Sequence, residues 1–103
     1  MRVLLAIPFL DMLNNLPAVD RRRCHGYIQR LFKFIGTIPD ETHFSKIPFS
    51  NYYITYEQKI STDKYANRLR VYRVLFDGFR IFFTVKGRSK PVCKFVYIDI
   101  IKP

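Results

Sequence analysis

The sequence predicts a single α+β domain: an N-terminal strand and helical hairpin packed on one face of a mainly antiparallel, twisted sheet. Three observations lead there. Apolar residues in the first third recur at helical spacing, and those in the last third alternate at strand spacing around an Asp77-Gly78 turn. The two patterns are also segregated along the chain, the order expected when helices gather on one face of an antiparallel sheet. A length of 103 residues suits one domain, residues 1–103. An apolar share of 49% with ten Phe and seven Tyr is enough for a true core, which argues against long disordered stretches.

Residues 2–7 form a short aliphatic run that reads as a buried strand. Pro8 suits the first turn of a helix over 8–16, and Pro17 restarts the chain. Within 18–35, Cys24, Tyr27, Ile28, Leu31 and Ile35 fall on one helical face, while Arg22, Arg23, Arg30 and Lys33 lie mainly off it. Gly36 is the expected helix stop and Gly26 a weak point inside the helix. Pro39, Asp40, Ser45, Pro48, Ser50 and Asn51 mark loops, and residues 52–60 read as a strand. Residues 68–76 and 79–86 flank Asp77-Gly78, the dipeptide favoured in a type I′ hairpin turn. A basic loop at 87–91 leads to a last strand over 92–101.

The charge is strongly unbalanced. Eighteen Lys and Arg stand against eight Asp and Glu, a net charge of +10 and a pI near 10.0. Nine basic and two acidic residues fall within 68–103, so the excess belongs chiefly to the expected sheet. Such a balance speaks for an anionic partner, RNA above all. The longest apolar run, Val3 to Leu10, is broken by Pro8 and is far short of the roughly 20 residues of a membrane span. It also lacks the charged start and cleavage site of an export signal. A cytoplasmic protein is expected, with Cys24 and Cys93 as free thiols.

Hairpin register sharpens the prediction. With Asp77 and Gly78 as the turn, Phe76 faces Phe79, Leu75 faces Arg80, Val74 faces Ile81 and Arg73 faces Phe82. Tyr72, Val74, Phe76, Phe79, Ile81, Phe83 and Val85 then share the face under the helices. Arg73, Arg80, Phe82 and Lys86 share the opposite face with Leu69, Val71, Leu75 and Thr84. Arg73 and Arg80 become diagonal neighbours, roughly 5–8 Å apart at Cβ, with no carboxylate beside them on the hairpin. Two guanidiniums so placed suit a phosphate between them, and Phe82 offers a surface on which a base can stack. Lys86, Arg88 and Lys90 extend the predicted RNA-binding set. In the last strand, Val92, Val96, Ile98 and Ile100 are expected to face the core. Phe95, Tyr97 and Asp99 are expected on the basic face, with Asp99 as an arginine's ion-pair partner rather than a catalytic base.

Other residues carry weaker chemistry. His25 reads as a surface residue of the second helix, and His43 as a loop histidine that could serve as a general base although nothing places it beside the sheet. Tyr97 and Glu57 join Arg80 and Arg73 as candidate catalytic groups, Glu57 as the best-placed carboxylate for a base. The cysteines and histidines show no finger-like spacing, so no metal is expected. Neither a phosphate loop, a nucleophile elbow nor a dinucleotide fingerprint occurs, so no cofactor is expected.

The segment Leu69-Arg-Val-Tyr-Arg-Val-Leu-Phe-Asp-Gly-Phe-Arg-Ile-Phe-Phe-Thr-Val85 resembles the RelE/ParE superfamily of bacterial type II toxin-antitoxin toxins. The opening, with Phe9, Leu13 and Leu16-Pro17, is similar to that family's first strand and helix. The resemblance implies a metal-independent endoribonuclease that cuts mRNA, usually on the ribosome, by 2′-hydroxyl attack on the adjacent phosphate. It also implies an acidic antitoxin as protein partner. Arg80 matches the family's phosphate-stabilising arginine, and Arg73 a basic position on the preceding strand. The chain departs from the family by stopping at Lys102-Pro103, short of the usual C-terminal catalytic residues. Its insertion over 43–67 is long and offers Tyr53, Tyr56, Glu57 or Lys59 in their place. Two other readings stay open: a ParE-like gyrase inhibitor that cuts no RNA, and a non-catalytic RNA-binding or ribosome-associated module.

Overall fold

The structure, a computed structural model, describes residues 1–46, 53–61, 68–76 and 78–101. For 45, 46, 53–61, 68 and 69 only the backbone is described. The elements run β1 (Arg2–Leu5), α1 (Ile7–Asn14), α2 (Ala18–Thr37), a 3₁₀ helix (Glu41–Lys46), β2 (Tyr53–Ser61), β3 (Arg68–Phe76), β4 (Phe79–Lys86) and β5 (Val92–Ile100). The strands form one sheet in the order β1-β5-β4-β3-β2. The fold is α+β with a mixed sheet: β1 runs parallel to β5, and the other neighbouring pairs are antiparallel.

Both helices pack on one sheet face. Phe9 and Leu13 of α1, and Cys24, Ile28, Leu31 and Ile35 of α2, join Val74, Phe76, Phe79, Ile81, Phe83 and Val85 in a single core. The helical stripe and the inner hairpin face read from the sequence are therefore the two halves of that core. Burying one large apolar side chain contributes about 1.5–3 kcal/mol, so these residues dominate stability. Ring contacts knit the layers: Phe9 meets Phe95 edge-on at 5.7 Å, and Tyr27 tilts onto Phe76 at 4.8 Å. The β3–β4 register matches the sequence expectation pair for pair, from Phe76↔Phe79 to Arg73↔Phe82 and beyond. Gly78 takes φ +86°, the left-handed conformation that the turn's second position requires. Asp77 lies outside the described residues, as do Pro48, Ser50 and Asn51 of the predicted loops.

Several expectations need correction. β1 is an edge strand with half-buried side chains rather than a buried one, because only β5 flanks it. Helix α1 spans 7–14 rather than 8–16. Helix α2 continues through Gly36 to Thr37 and ends at Ile38 in extended backbone, so Gly36 provides no left-handed stop. The stretch after Asp40 is a 3₁₀ helix instead of a loop. Asp40 caps it by accepting hydrogen bonds from the backbone N–H of Thr42 at 2.9 Å and from the Thr42 hydroxyl, which hold the Asp40 carboxyl below its ordinary pKa. Phe44 anchors this helix edge-on to Tyr72 and Phe83, at 5.0 and 5.5 Å. Arg70, on the inner parity of β3, meets it at the rim of the core. Its Nε lies 2.5 Å from Glu41 Oε1, and its Nη2 donates to the Gly87 carbonyl at 2.7 Å.

The last correction concerns β5. Phe82 pairs with Tyr97 but Phe83 pairs with Phe95, so Val96 is the extra residue of a bulge. The bulge changes the parity of the strand. Cys93 and Phe95 face the core before it, and Ile98 packs into the core after it. Phe95, expected on the basic face, is fully buried. Val92 and Val96, expected in the core, instead line a groove on the sheet's outer face.

Candidate RNA interface on the outer sheet face

Among the described residues, no helix covers the face formed by the outward side chains of β3, β4 and β5. Toward the hairpin turn, this face carries Arg73, Arg80, Phe82, Tyr97 and Asp99. Strand pairing sets them side by side: Arg73 opposite Phe82, Phe82 opposite Tyr97, and Arg80 opposite Asp99. The Arg80 guanidinium lies 5.3 Å from the centre of the Phe82 ring, and Phe82 meets Tyr97 edge-on at 5.7 Å. A flat cation is thus presented beside two aromatic rings, the combination that holds a nucleotide's phosphate and base together.

Asp99 is the carboxylate that hairpin register alone did not supply, because it comes from the neighbouring strand. It accepts two hydrogen bonds from Arg80, Nε–Oδ1 at 3.0 Å and Nη2–Oδ2 at 2.5 Å. This bears out its role as an arginine's partner and locks the guanidinium plane in place. The Tyr97 hydroxyl donates to the same Oδ2 at 3.2 Å. Arg80 and Asp99 keep 35% and 25% of their side-chain surface exposed, so an incoming phosphate can reach the pair. Arg80 is therefore a preoriented but partly neutralised cation, not an uncompensated one.

The same face continues toward the opposite end of β4. There Leu4, Thr84, Lys86, Val92, Lys94 and Val96 line a groove of about 350 Å³, with an apolar floor and two lysines at its rim. Arg88 and Lys90 stand exposed on the following loop, whose root Arg70 pins through the Gly87 carbonyl. Gly87 has φ +95°, and a Cβ there would lie 3.1 Å from the Lys90 carbonyl oxygen, so the loop's path requires glycine. From Arg80 to Lys86 the strand rises about 20 Å at ~3.3 Å per residue, long enough for several nucleotides of an extended chain.

Of the predicted site residues, the structure gathers Arg73, Arg80, Phe82, Lys86 and Tyr97 on one face, with Arg88 and Lys90 at its end. Glu57 is the extra residue of a second bulge, between Tyr56 and Gln58 of β2, and its side chain lies outside the described residues. So do the side chains of Tyr53, Tyr56 and Lys59. His25 is exposed on α2, as expected. His43 belongs to the 3₁₀ helix on the helical side of the sheet and does not reach the basic face. Sequence reasoning missed Lys94. The signal was present, since Lys94 shares parity with Val92 and Val96, and a lysine on a supposed core parity announces a bulge.

Cys24 and Cys93 are free and fully buried. Burial pushes both thiols up to about 12, with Asp20 adding to the effect at Cys24 and Glu41 at Cys93. Neither is a nucleophile at neutral pH. Among the described residues, no helix is long and apolar enough to cross a membrane. No protein-family model, curated protein or solved structure matches the chain.

Proposed function

We propose that the outer sheet face binds single-stranded RNA and cleaves it without a metal, as the toxin of a type II toxin-antitoxin pair with an acidic antitoxin as its partner. The observation that carries this reading is the cluster of Arg80, Phe82, Tyr97 and Asp99, with Arg73 adjoining, on an open face of a chain with net charge +10. The RelE/ParE resemblance adds mRNA on the ribosome as the substrate and the cytoplasm as the place of action.

In the proposed reaction, Tyr97 takes the proton of a ribose 2′-hydroxyl while its own proton passes to Asp99. The O2′–phosphorus bond forms and the phosphorus–O5′ bond breaks. Water protonates the departing oxygen, leaving a 2′,3′-cyclic phosphate and a 5′-hydroxyl, and Asp99 returns its proton to solvent. Arg80 and Arg73 stabilise the charge that builds on the phosphate oxygens. Removing one preorganised donor of this kind costs on the order of 10²–10³ in rate.

A non-catalytic RNA-binding module is the second reading, favoured by the Arg80–Asp99 pair, which already satisfies the guanidinium. Asp99→Asn separates the two. It removes both the proton acceptor and the charge that neutralises Arg80, so RNA affinity should rise while cleavage of ribosome-bound mRNA falls about 100-fold or more. Arg80→Ala should cut cleavage by a similar factor with its melting curve unchanged, and Arg73→Ala by less. An Asp99→Asn variant that cleaves at full rate would sink the relay. A wild type that binds RNA but never cuts it moves the protein to the second reading, and one that inhibits gyrase without binding RNA discards both.

A further inference from the structure

On the helical side of the molecule, Arg23, Gly26, Tyr27 and Arg30 line a groove of about 260 Å³ along α2. Gly26 adds no side chain to it, and a Cβ there would meet nothing within 4 Å, so a longer side chain would project into open space. The groove's walls are arginines seven residues apart, about 10.5 Å along the helix at 1.5 Å per residue. Arginine arms set at that spacing on one helix face can take neighbouring phosphates of one strand. Tyr27, half-buried against Phe76 at 4.8 Å, gives the groove an aromatic side. Arg23 is held in position, its guanidinium 5.4 Å from the centre of the Phe79 ring. Asp20 approaches it at 3.8 Å, yet 46% of the Arg23 side-chain surface stays exposed.

Phe79 decides what the groove is for. It faces the helices, and the next residue, Arg80, faces the opposite side of the sheet. Arg23 and Arg80 therefore flank the same end of the hairpin, one on each face. We propose that the Arg23–Gly26–Arg30 groove is a second phosphate-binding site, taking the backbone of the RNA strand that leaves the outer face at Arg80. The inference rests on the RNA reading above and extends the footprint around the hairpin end. Arginine forks and an aromatic wall continuous with a proposed RNA face favour nucleic acid over an acidic protein segment.

The test uses non-cleavable 2′-O-methyl oligouridines, a short one that fits the outer face alone and one about three times longer, with binding followed by fluorescence anisotropy. Arg23→Gln/Arg30→Gln should weaken the long oligomer on the order of 10-fold and leave the short one unchanged. The slope of log affinity against log salt should become shallower by roughly 1.4 for the long oligomer, at about 0.7 for each phosphate that is no longer neutralised. Gly26→Glu keeps both arginines and sets a carboxylate between them, and should produce the same selective loss. Agreement between the two variants excludes a folding effect from removing the Arg23 guanidinium beside Phe79. Arg2→Gln, at the β1 edge, should change either affinity by less than about 2-fold. Equal losses for both lengths, or none, would overturn the second site while leaving the outer face standing. Failure of the wild type to bind either oligomer would overturn the RNA reading itself. Binding of polyglutamate with the same dependence on Arg23 and Arg30 would reassign the groove to a protein and end the proposal.

Discussion

The inner and outer faces of the sheet are built from alternate residues of the same strands, yet they have opposite characters. On β4 the inner residues Phe79, Ile81, Phe83 and Val85 are buried to within 2% of complete, whereas Arg80, Phe82 and Lys86 keep contact with solvent. The ion pairs differ in the same way. Arg70–Glu41, at the rim of the core, has 13% and 18% of its side-chain surface exposed, and it joins the 3₁₀ helix to the sheet. Arg80–Asp99, on the open face, has 35% and 25% exposed and joins only adjacent strands. The inner face holds the fold and the outer face is available for chemistry. Changes of like size on the two faces should therefore affect different measurements.

The largest separation is expected between neighbours on β4. Phe83→Ala empties a fully buried site packed against Phe44 and Phe95, and should cost about 3–5 kcal/mol of stability in urea denaturation. Phe82→Ala, one residue away, should cost about 1 kcal/mol or less while weakening RNA binding by removing a stacking ring. Comparable destabilisation by both would mean that the outer face is also core.

This contrast is also where the sequence was most legible. Between residues 72 and 85, period-two alternation and one turn dipeptide suffice to fix register, burial and the positions of Arg73, Arg80 and Phe82. Legibility fails on β5, because a single bulge at Val96 inverts the parity of every residue before it. Adjacent apolar residues Phe95 and Val96 hide where the slip falls, and Lys94 on a supposed core parity is the sign that one occurs. The candidate site was legible as a set of cations and incomplete as a set of partners. Asp99 meets Arg80 only through the β4–β5 pairing, a contact between residues 19 apart whose register depends on where that bulge falls. The 3₁₀ helix was hidden for a related reason: Pro39 and Asp40 look like loop residues, and Phe44 becomes an anchor only once Tyr72 and Phe83 stand beneath it.

The buried thiols sharpen the comparison through pH. Cys24 and Cys93 are both raised from 9.0 to about 12 in the folded protein. The unfolded chain therefore releases these two protons first as pH rises, and folding opposes their release. Their contribution should leave stability unaffected below pH 9. Above it, stability should fall by up to about 1.4 kcal/mol per pH unit for each thiol, until the folded pKa is reached. Denaturation at pH 8 and pH 10, with Cys24→Ser/Cys93→Ser as reference, reads the difference. A wild type no more alkali-sensitive than the double variant would contradict the burial. Thiol reagents should likewise label both residues only after unfolding.

The two ion pairs give a smaller contrast. Glu41→Gln removes the charge facing Arg70 at the core rim and should cost about 1–3 kcal/mol. Asp99→Asn, on the more exposed pair, should cost no more than about 1 kcal/mol. Equal costs would show that the outer pair is structural, and would weaken its reading as part of a site.

The smallest expected effect is at Gly26, and it tests whether the surface of α2 gives up stability for a groove. A glycine inside a 20-residue helix is unfavourable by about 1 kcal/mol relative to alanine, because the unfolded chain loses more freedom there on folding. The position is exposed, its φ is not left-handed, and an added methyl meets no neighbour within 4 Å. Gly26→Ala should thus raise stability by about 0.5–1 kcal/mol in urea denaturation, with no change in core packing. A methyl is much smaller than the glutamate side chain, so long-RNA affinity should fall far less for Gly26→Ala than for Gly26→Glu. If Gly26→Ala is destabilising, the helix surface packs more closely there than the open groove allows. If it stabilises the fold as expected and Gly26→Glu still binds long RNA normally, the glycine's absent side chain serves no ligand, and the charge of α2 is only a solvated face.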